Sequence, residues 1–558
     1  MDNKTVAAQF SLLSKVMDLH GENSYKARSY ANAAFQIEKL SLPLTGMAET
    51  DIFRIRGVGE AIGRKILDLL HTGHFPLLAQ YLEQTPPGVL EMLDIKGLGA
   101  KKIAVIWKEL GVENIGELLY ACNENRLMLY KGFGAKTQEN VRRSIEFLMA
   151  SKGFFLYQAL EDHAASIAGY WKTALDPEAR ISLTGDVRRR CNTLQAVSLL
   201  IDRPVELVAA HLPPDTEVIS VQETTVTLKD NSGIRTEIFC CAPEDFSWEF
   251  FQTTGSESFV HEFLERYPGI RNQRADSEED IFTAAGIPFI EACHREILPP
   301  DAKLKALMMT GPVRLIQPAD ISGVIHAHST WSDGRDTLEE MAAAARDMGY
   351  AYLVISDHSR SAAYAGGLRV EQIAAQHAQI DELNKKLSPF RIFKSIESDI
   401  LSDGSLDYPD EVLNTFELVI ASVHSNLKMD QEKAMQRLLR AIENPFTTIL
   451  GHPTGRLLLT RPGYPLDHQK IIDACYQHHV VIEINAHPRR LDLDWSWIPY
   501  ALERGVLLSI DPDAHSIEGI KNLRYGVLSA QKGGLTAPHN LSSFSLEAFE
   551  HFLQTRRE

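Results

Sequence analysis

No run of eighteen or more uncharged apolar residues occurs anywhere in the 558-residue chain, so no helix long enough to cross a bilayer is expected. The first ten residues, MDNKTVAAQF, lack a basic stretch leading into an apolar one, and no secretory signal is expected. Cysteine is scarce: six, at positions 122, 191, 240, 241, 293 and 475. The adjacent Cys240–Cys241 pair and the long gaps fit neither a disulfide framework nor a zinc knuckle, and a reducing cytoplasm is the expected compartment. Positive charge is also in deficit. Against 74 Asp and Glu there are 57 Lys and Arg, a net charge of −17, which argues against nucleic-acid binding by the chain as a whole. The most local absence is of acids. In TGDVRRRCNTLQAVSL, Thr184–Leu199, three arginines follow a Gly-Asp turn, yet no Asp or Glu lies between Val187 and Ile201.

What is present is ordinary in bulk, 44 % hydrophobic and 23 % charged, and suits a soluble globular chain. At ~150 residues per domain the length predicts about four domains. Charge is unevenly spread: residues 1–150 carry 18 Lys and Arg against 17 Asp and Glu, and the remainder carries −18. Solvated faces vary in this way without function, but the near-neutral part also holds a repeat. IRGVGEAIGRKI (Ile55–Ile66), IKGLGAKKIAVI (Ile95–Ile106) and YKGFGAKTQENV (Tyr130–Val141) each place a basic residue before Gly-apolar-Gly and the start of an amphipathic helix. Gly57 and Gly59, Gly97 and Gly99, and Gly132 and Gly134 permit a tight turn and a close backbone approach. The new helix offers unpaired N–H groups to an anion, and Lys101, Lys102 and Lys136 add charge. The pattern resembles the helix-hairpin-helix module, which holds DNA phosphates. Such contacts position without reading bases, so the expected partner is DNA at gaps, nicks or damaged ends, without sequence preference.

The densest chemistry starts at Ile325, in IHAHSTWSDG. His326 and His328 sit two apart, which on a strand puts both on one face. Apolar strand-like runs then end one after another in ionisable residues: YLVISDHS in Asp357 and His358, FKSIESDI in Glu397, LVIASVHS in His424, TTILGHPTGR in His452, VVIEINAHPRR in Glu483, Asn485 and His487, and LLSIDPDAHS in Asp513 and His515. Helical segments such as DTLEEMAAAARDMG separate them. Alternating strands and helices imply a parallel sheet or barrel, whose active site forms at the C-terminal ends of the strands. Mixed imidazole and carboxylate donors suit Zn²⁺, Mn²⁺ or Fe²⁺. Two or three such ions supply a nucleophile at neutral pH and clamp both oxygens of an in-line displacement.

This set resembles the PHP (polymerase and histidinol phosphatase) domain, over residues 320–558. The resemblance implies a distorted seven-stranded β/α barrel with a trinuclear metal site. Carried over by position, His326, His328, Glu397 and Asp513 would hold one ion. Glu397 would bridge to a second, shared with His424 and His452, and Asp333, His358 and His515 would hold the third. GHPTGRLLLTRPGY and EINAHPRRLDL resemble the branch fused to bacterial family X DNA polymerase, which makes Arg456 and Arg490 candidates for holding a phosphate; Glu397, His424 and His515 complete the expected catalytic set. The family order implies a helix-hairpin-helix, lyase-like region (1–85), fingers (86–150), an α+β palm (151–245), a thumb (246–315) and the barrel (320–558). TTGSESF and SEEDIFTAAGIPFI resemble the family's Thr-Gly-Ser turn and thumb.

The family palm reads Gly-Ser-x-Arg-Arg, then six residues, then Asp-x-Asp. Here Gly185, Arg188 and Arg189 match, but Asp186 replaces the serine, and the two metal-binding aspartates fall on Ala196 and Ser198. Glu237 is the third carboxylate, and Val260 stands where the family has an Asn. One acid is too few for a two-ion site, so the polymerase palm is expected to be degenerate. Lys65 falls at the Schiff-base lysine of the β-polymerase branch and is a candidate for lyase chemistry. The expected activity is metal-dependent hydrolysis of DNA phosphodiesters, as a 3′→5′ exonuclease or an abasic-site endonuclease in repair. The alternatives are a residual gap-filling polymerase, a small-molecule phosphatase of the histidinol-phosphate type, and a non-catalytic DNA-binding scaffold.

Overall fold

A computed structural model describes residues 1–40, 42–123, 126–304 and 313–557, and divides into two compact units, Met1–Lys152 and Gly153–Glu558. The first unit is helical. Its opening helices, Asn3–Leu19 and Ser24–Glu38, are capped by the side chains of Asp2 and Asn23. On the first helix Val6, Phe10, Leu13 and Met17 recur at three- and four-residue spacing and are all buried, the stripe expected of an amphipathic helix. They join one core that continues through Ile66, Leu69, Ile103 and Ile106 to Ile145.

The three Gly-x-Gly turns share one backbone geometry. Gly57, Gly97 and Gly132 have φ of +82°, +86° and +94°, which only glycine adopts readily. The residues between the glycines, Val58, Leu98 and Phe133, are buried. Gly59, Gly99 and Gly134 are the N-caps of helices Glu60–Thr72, Ala100–Lys108 and Ala135–Ser151, and no side chain caps any of the three. A Cβ at any of these second glycines would meet nothing within 4 Å, so the helix starts are open to an incoming group.

The second unit begins with a short antiparallel pair, β1 (Phe155–Leu156) with β3 (Thr193–Leu194). A five-stranded sheet follows in the order β2 (Ile181–Thr184), β4 (Ala196–Ile201), β7 (Arg235–Cys240), β6 (Thr225–Asp230), β5 (Thr216–Val221). Only β4 and β7 run parallel. All six residues of β4 are buried. Helices Phe246–Thr254, Glu257–Arg266 and Glu278–Ala284 pack around Phe251, Phe259, Phe263 and Phe282.

Seven parallel strands then follow in sequence order: β8 (Gly323–Ala327), β9 (Tyr352–Ile355), β10 (Arg391–Asp399), β11 (Leu418–Ser422), β12 (Thr447–Leu450), β13 (Val481–Asn485) and β14 (Leu508–Asp511). Among the described residues, a single bridge, Ala327 to Ala514, joins the first strand to the segment after the last, so the barrel is nearly closed. The strands read as continuous apolar runs because both faces are buried. Outward residues such as Leu353, Ile355 and Val419 join the helices in one core. Inward residues Ile325, Val354, Phe393, Ile420 and Ile449 form a second, with Phe549 and Leu553 of the last helix, Leu546–Arg557. Phe549 stacks on Tyr352 at 4.6 Å. The helix-hairpin-helix start, the mixed sheet and the seven-stranded barrel agree with the fold expected from sequence.

Candidate metal centre

Alternation along β10 points Phe393, Ser395 and Glu397 into the barrel, and the lumen above Phe393 turns from apolar to ionisable. Glu397 is fully buried at its centre. Its Oε1 lies 3.4 Å from His326 Nε2, 3.1 Å from His424 Nε2 and 3.0 Å from His452 Nε2. Its Oε2 lies 2.9 Å from His358 Nδ1 and 3.7 Å from His328 Nε2. Asp513 Oδ1 is 3.1 Å from His328 Nε2 and 3.5 Å from His326 Nε2. Asp333 Oδ1 is 3.4 Å from His515 Nε2 and 3.6 Å from His358 Nε2. The nine residues expected as ligands thus converge. Three overlapping groups have ligand atoms within 4.8 Å of one another: His328, Asp333, His358 and His515; His326, His328 and Asp513; and His358, Glu397 and His424.

The backbone is bent to achieve this. His326, His452 and Asp513 have φ of +64°, +23° and +50°, each a conformation costing on the order of 1–3 kcal/mol for a residue with a side chain. At His326 the pairing of β8 with β9 shifts register between Val324 and Ala327. This bulge lets Ile325 join the lumenal core while His326 also faces Glu397. Asp333 arrives by a tight turn. Gly334 N donates to Ser329 O at 2.9 Å, and a Cβ on Gly334 would lie 2.6 Å from the Ser329 backbone.

Outer partners fix the rings. His326 Nδ1 is 2.5 Å from Glu483, and His424 Nδ1 is 2.5 Å from Asp399; such carboxylate–imidazole pairs orient the other nitrogen. Asn485 donates to Asp513 Oδ2 at 3.1 Å. Asp357 is no part of the ligand groups. It accepts from the Ser329 N–H and hydroxyl, from Ser332 and from Gln376, and so holds the turn that carries Asp333. Sequence reading placed Glu483 and Asp357 among the ionisable strand ends without these roles, and passed over Asp399. Its position two residues after Glu397, on the same lumenal face, was the available signal.

These donors suit cations. Burial opposes charge on Glu397, yet His424, His326 and His358 outweigh it and hold the carboxyl well below its ordinary range. Asp513 is depressed likewise by His326, His328 and His515 against burial. Burial also opposes charge on His424, but Glu397 and Asp399 lift it to about 10; His515, beside Asp333 and Asp513, is lifted to about 9. His328 goes the other way, to about 3, from burial and the neighbouring His515 and His358. The buried Nε2 of His326 and Oε2 of Glu397 make no hydrogen bond. Two buried carboxylates kept ionised among imidazoles, with the Nε2 of His326 unbonded, fit ions such as Zn²⁺ or Mn²⁺.

The two arginines expected near a phosphate diverge. Arg490 Nε lies 3.4 Å from Asp513 Oδ2. Arg456 is held by Asp494 at 2.7 Å and by the carbonyls of Arg490 and Leu491. Its guanidinium thus braces the loop that carries Arg490, rather than facing the ligands.

On the five-stranded sheet, expected to be the palm, Ala196 and Ser198 share a face of β4, and Ser198 stands opposite Glu237 on β7 and Thr184 on β2. The frame is in register while Glu237 is the single carboxylate of the three, 3.4 Å from Arg235. The arginines are engaged internally. Arg188 grips both oxygens of Glu278, at 3.0 and 2.5 Å. Arg189 pairs with Glu296 at 3.0 Å and with Asp186, and Arg190 meets Gln531 of the barrel. In the first unit Lys101 and Lys136 are exposed, Lys102 lies 5.5 Å over the Phe133 ring, and Lys65 Nζ reaches the Ala61 carbonyl at 3.3 Å.

Comparison with known proteins follows the same division. The model of the helix-hairpin-helix domain matches residues 1–75. A probable phosphatase of Thermoanaerobacter sp. (strain X514) is 27 % identical over 34 % of this chain and 83 % of its own length, and one of Caldicellulosiruptor saccharolyticus is 30 % identical over 29 % and 64 %. The DNA polymerase/3′-5′ exonuclease PolX of Bacillus subtilis (strain 168) is 31 % identical over 99 % of this chain and 100 % of its own. With that match end to end, and phosphatase relatives of the PHP type at its C-terminal part, the chain belongs to the PolX family of bacterial family X DNA polymerases that carry a C-terminal PHP domain.

Proposed function

We propose that the barrel hydrolyses phosphodiester bonds of DNA, as a 3′→5′ exonuclease and at abasic sites, in repair, and that nucleotide addition has been lost. The observation that carries this is a contrast within one chain: nine donors converge in the barrel, while the palm face that should bind two cations retains one carboxylate. When bound, the ions supply the nucleophile and neutralise the phosphate. His326, His328, Glu397 and Asp513 would hold one, Glu397, His424 and His452 a second, and Asp333, His358 and His515 a third. Glu483 and Asp399 keep the His326 and His424 rings turned toward Glu397. Arg490 pairs with a non-bridging phosphate oxygen, and Arg456 keeps Arg490 in place.

Residues 1–85 and 86–150 act as a sequence-independent DNA grip in the cytoplasm, through the glycine turns and Lys101, Lys102 and Lys136. Residues 151–245 and 246–315 are the palm and thumb frame, and 320–558 the catalytic part. Lys65, bonded back to its own helix, takes a phosphate contact in preference to lyase chemistry. The test uses purified protein with Mn²⁺, end-labelled DNA bearing gaps, abasic sites or mismatched ends, and a primer-extension arm with His424→Ala to silence the barrel. Degradation by the wild type and no extension by the variant are expected. Template-directed extension by His424→Ala would overturn the loss of polymerase activity.

A further inference from the structure

Arg360 follows β9 and Arg490 follows β13, and the site so far has used only Arg490. Arg360 follows β9, two residues after His358. Its side chain is 51 % exposed, while its partner Asp407 is 3 % exposed. Nε meets Asp407 Oδ1 at 3.3 Å, Nη2 donates to the Asp407 carbonyl at 2.8 Å, and the guanidinium lies 5.7 Å from the Tyr408 ring centre. The Arg360 N–H donates to Tyr408 Oη at 3.2 Å. The next residue ties this segment to the metal ligands. Ser361 donates through its N–H to Asp407 at 2.7 Å and through its hydroxyl to Asp399 at 2.9 Å, and Asp399 orients His424. Among the described residues the guanidinium bonds through Nε and Nη2 and not through Nη1, so a planar donor edge remains for an anion.

Strand order gives the second arginine its relation to the first. Arg360 leaves β9 and Arg490 leaves β13. Passing through β8 and β14, these strands are three places apart, the largest separation a seven-membered ring allows. The two arginines therefore leave the barrel from strands on opposite sides: Arg490 beside Asp513, and Arg360 next in sequence to Ser361, whose hydroxyl donates to the Asp399 that orients His424. With their strands three places apart, each arginine is suited to a different phosphate.

We propose, building on the phosphodiesterase reading above, that Arg360 binds the phosphate next to the scissile one. The barrel then selects a polynucleotide strand over an isolated phosphoester. This makes Arg360 a specificity-determining residue, and the substrate class one with two consecutive backbone phosphates.

The experiment uses the full chain with Mn²⁺ and two substrates, dithymidine monophosphate, which has one phosphate, and trithymidine diphosphate, which has two. The wild type should show a kcat/KM about tenfold higher for the longer substrate, equivalent to ~1.4 kcal/mol. In Arg360→Ala that ratio should fall to about one, carried by KM, and Arg360→Lys should be intermediate, since an ammonium keeps charge but loses the planar fork. Bound manganese is measured in parallel and should be equal in all three proteins. A variant that loses activity on both substrates in the same proportion, leaving the ratio at the wild-type value, would overturn the proposal and make Arg360 structural. So would a wild-type ratio of one. A wild type inert on both substrates with manganese bound would instead remove the phosphodiesterase reading itself, and this inference with it.

Discussion

Replacing Lys532 with Met tests whether the mixed sheet, the helices after it and the barrel of the second unit are fastened together by charge. Lys532 ends helix Leu523–Lys532 and is 4 % exposed. Its Nζ donates to the Arg189 carbonyl in the palm at 3.1 Å, to the Cys293 carbonyl at 3.5 Å and to Glu296 at 2.5 Å. Glu296 also binds Arg189 at 3.0 Å. Methionine retains most of the stem volume, so the loss is chiefly of the charge and its three bonds. Removing one partner of a buried pair costs roughly 3–5 kcal/mol, and since Glu296 keeps Arg189, the lower end, about 3 kcal/mol, is expected. Unfolding of the ~400 residues of this unit carries an entropy of roughly 0.85 kcal/mol/K. Tm should therefore fall by about 3–4 °C. The assay is thermal unfolding followed by circular dichroism, at fixed metal concentration because a bound ion raises Tm. Glu296→Gln and the double variant complete the cycle, with the double variant costing less than the two singles together. A Tm within 1 °C of wild type, or a coupling of zero, would refute the fastening.

Glu397→Ala should lose more bound metal than His452→Ala, measured by elemental analysis, because Glu397 approaches five imidazoles and the His452 ring meets one carboxylate. Equal metal content in both variants would contradict the bridging role. Lys101→Ala with Lys102→Ala should weaken binding to all DNA sequences alike and lower the slope of log K against log salt by about 0.9 per lost contact; fluorescence anisotropy across a salt series reads this directly. Glu278 is opposed by burial but depressed below its ordinary pKa by Arg188 and Arg295, and Glu296 by Lys532 and Arg189. Their contribution to stability is thus complete above the ordinary carboxylate pKa of about 4.3 and is lost as pH falls through the lower folded values. The stability gap between wild type and Glu278→Gln in urea unfolding should be widest near pH 7 and narrow below about pH 4.

The barrel was legible because its strands are short, apolar on both faces and each ends in a donor, a pattern that survives without any knowledge of pairing. The hairpins were legible because the turn needs glycine at Gly57, Gly97 and Gly132. Other features lay outside the pattern. The bulge at His326 depends on how β8 pairs with β9, and alternation alone would have turned one of Ile325 and His326 away. Asp357 and Asp399 are, by residue type, indistinguishable from ligands. Apart from the local Arg189–Asp186 pair, the engagement of Arg188, Arg189 and Arg456 rests on partners 34 to 107 positions away, a distance at which spacing carries no information.

The seam of the barrel has a consequence of its own. β8 and the segment after β14 are joined by little backbone: His328 N to Ala514 O at 2.8 Å and Ala514 N to His326 O at 3.2 Å. The side chains on either edge of that gap are His326 and His328 on one side, and Asp513 and His515 on the other. An ion held by both edges, as proposed above, would therefore be a rivet through the weakest joint of the cylinder. Its affinity for the folded chain would become resistance to the first and last strands parting. Chelation would then act on the cylinder as a mechanical loosening, felt first at its two ends in sequence, with 180 residues of chain between the first strand and the last, rather than as the quiet emptying of a pocket.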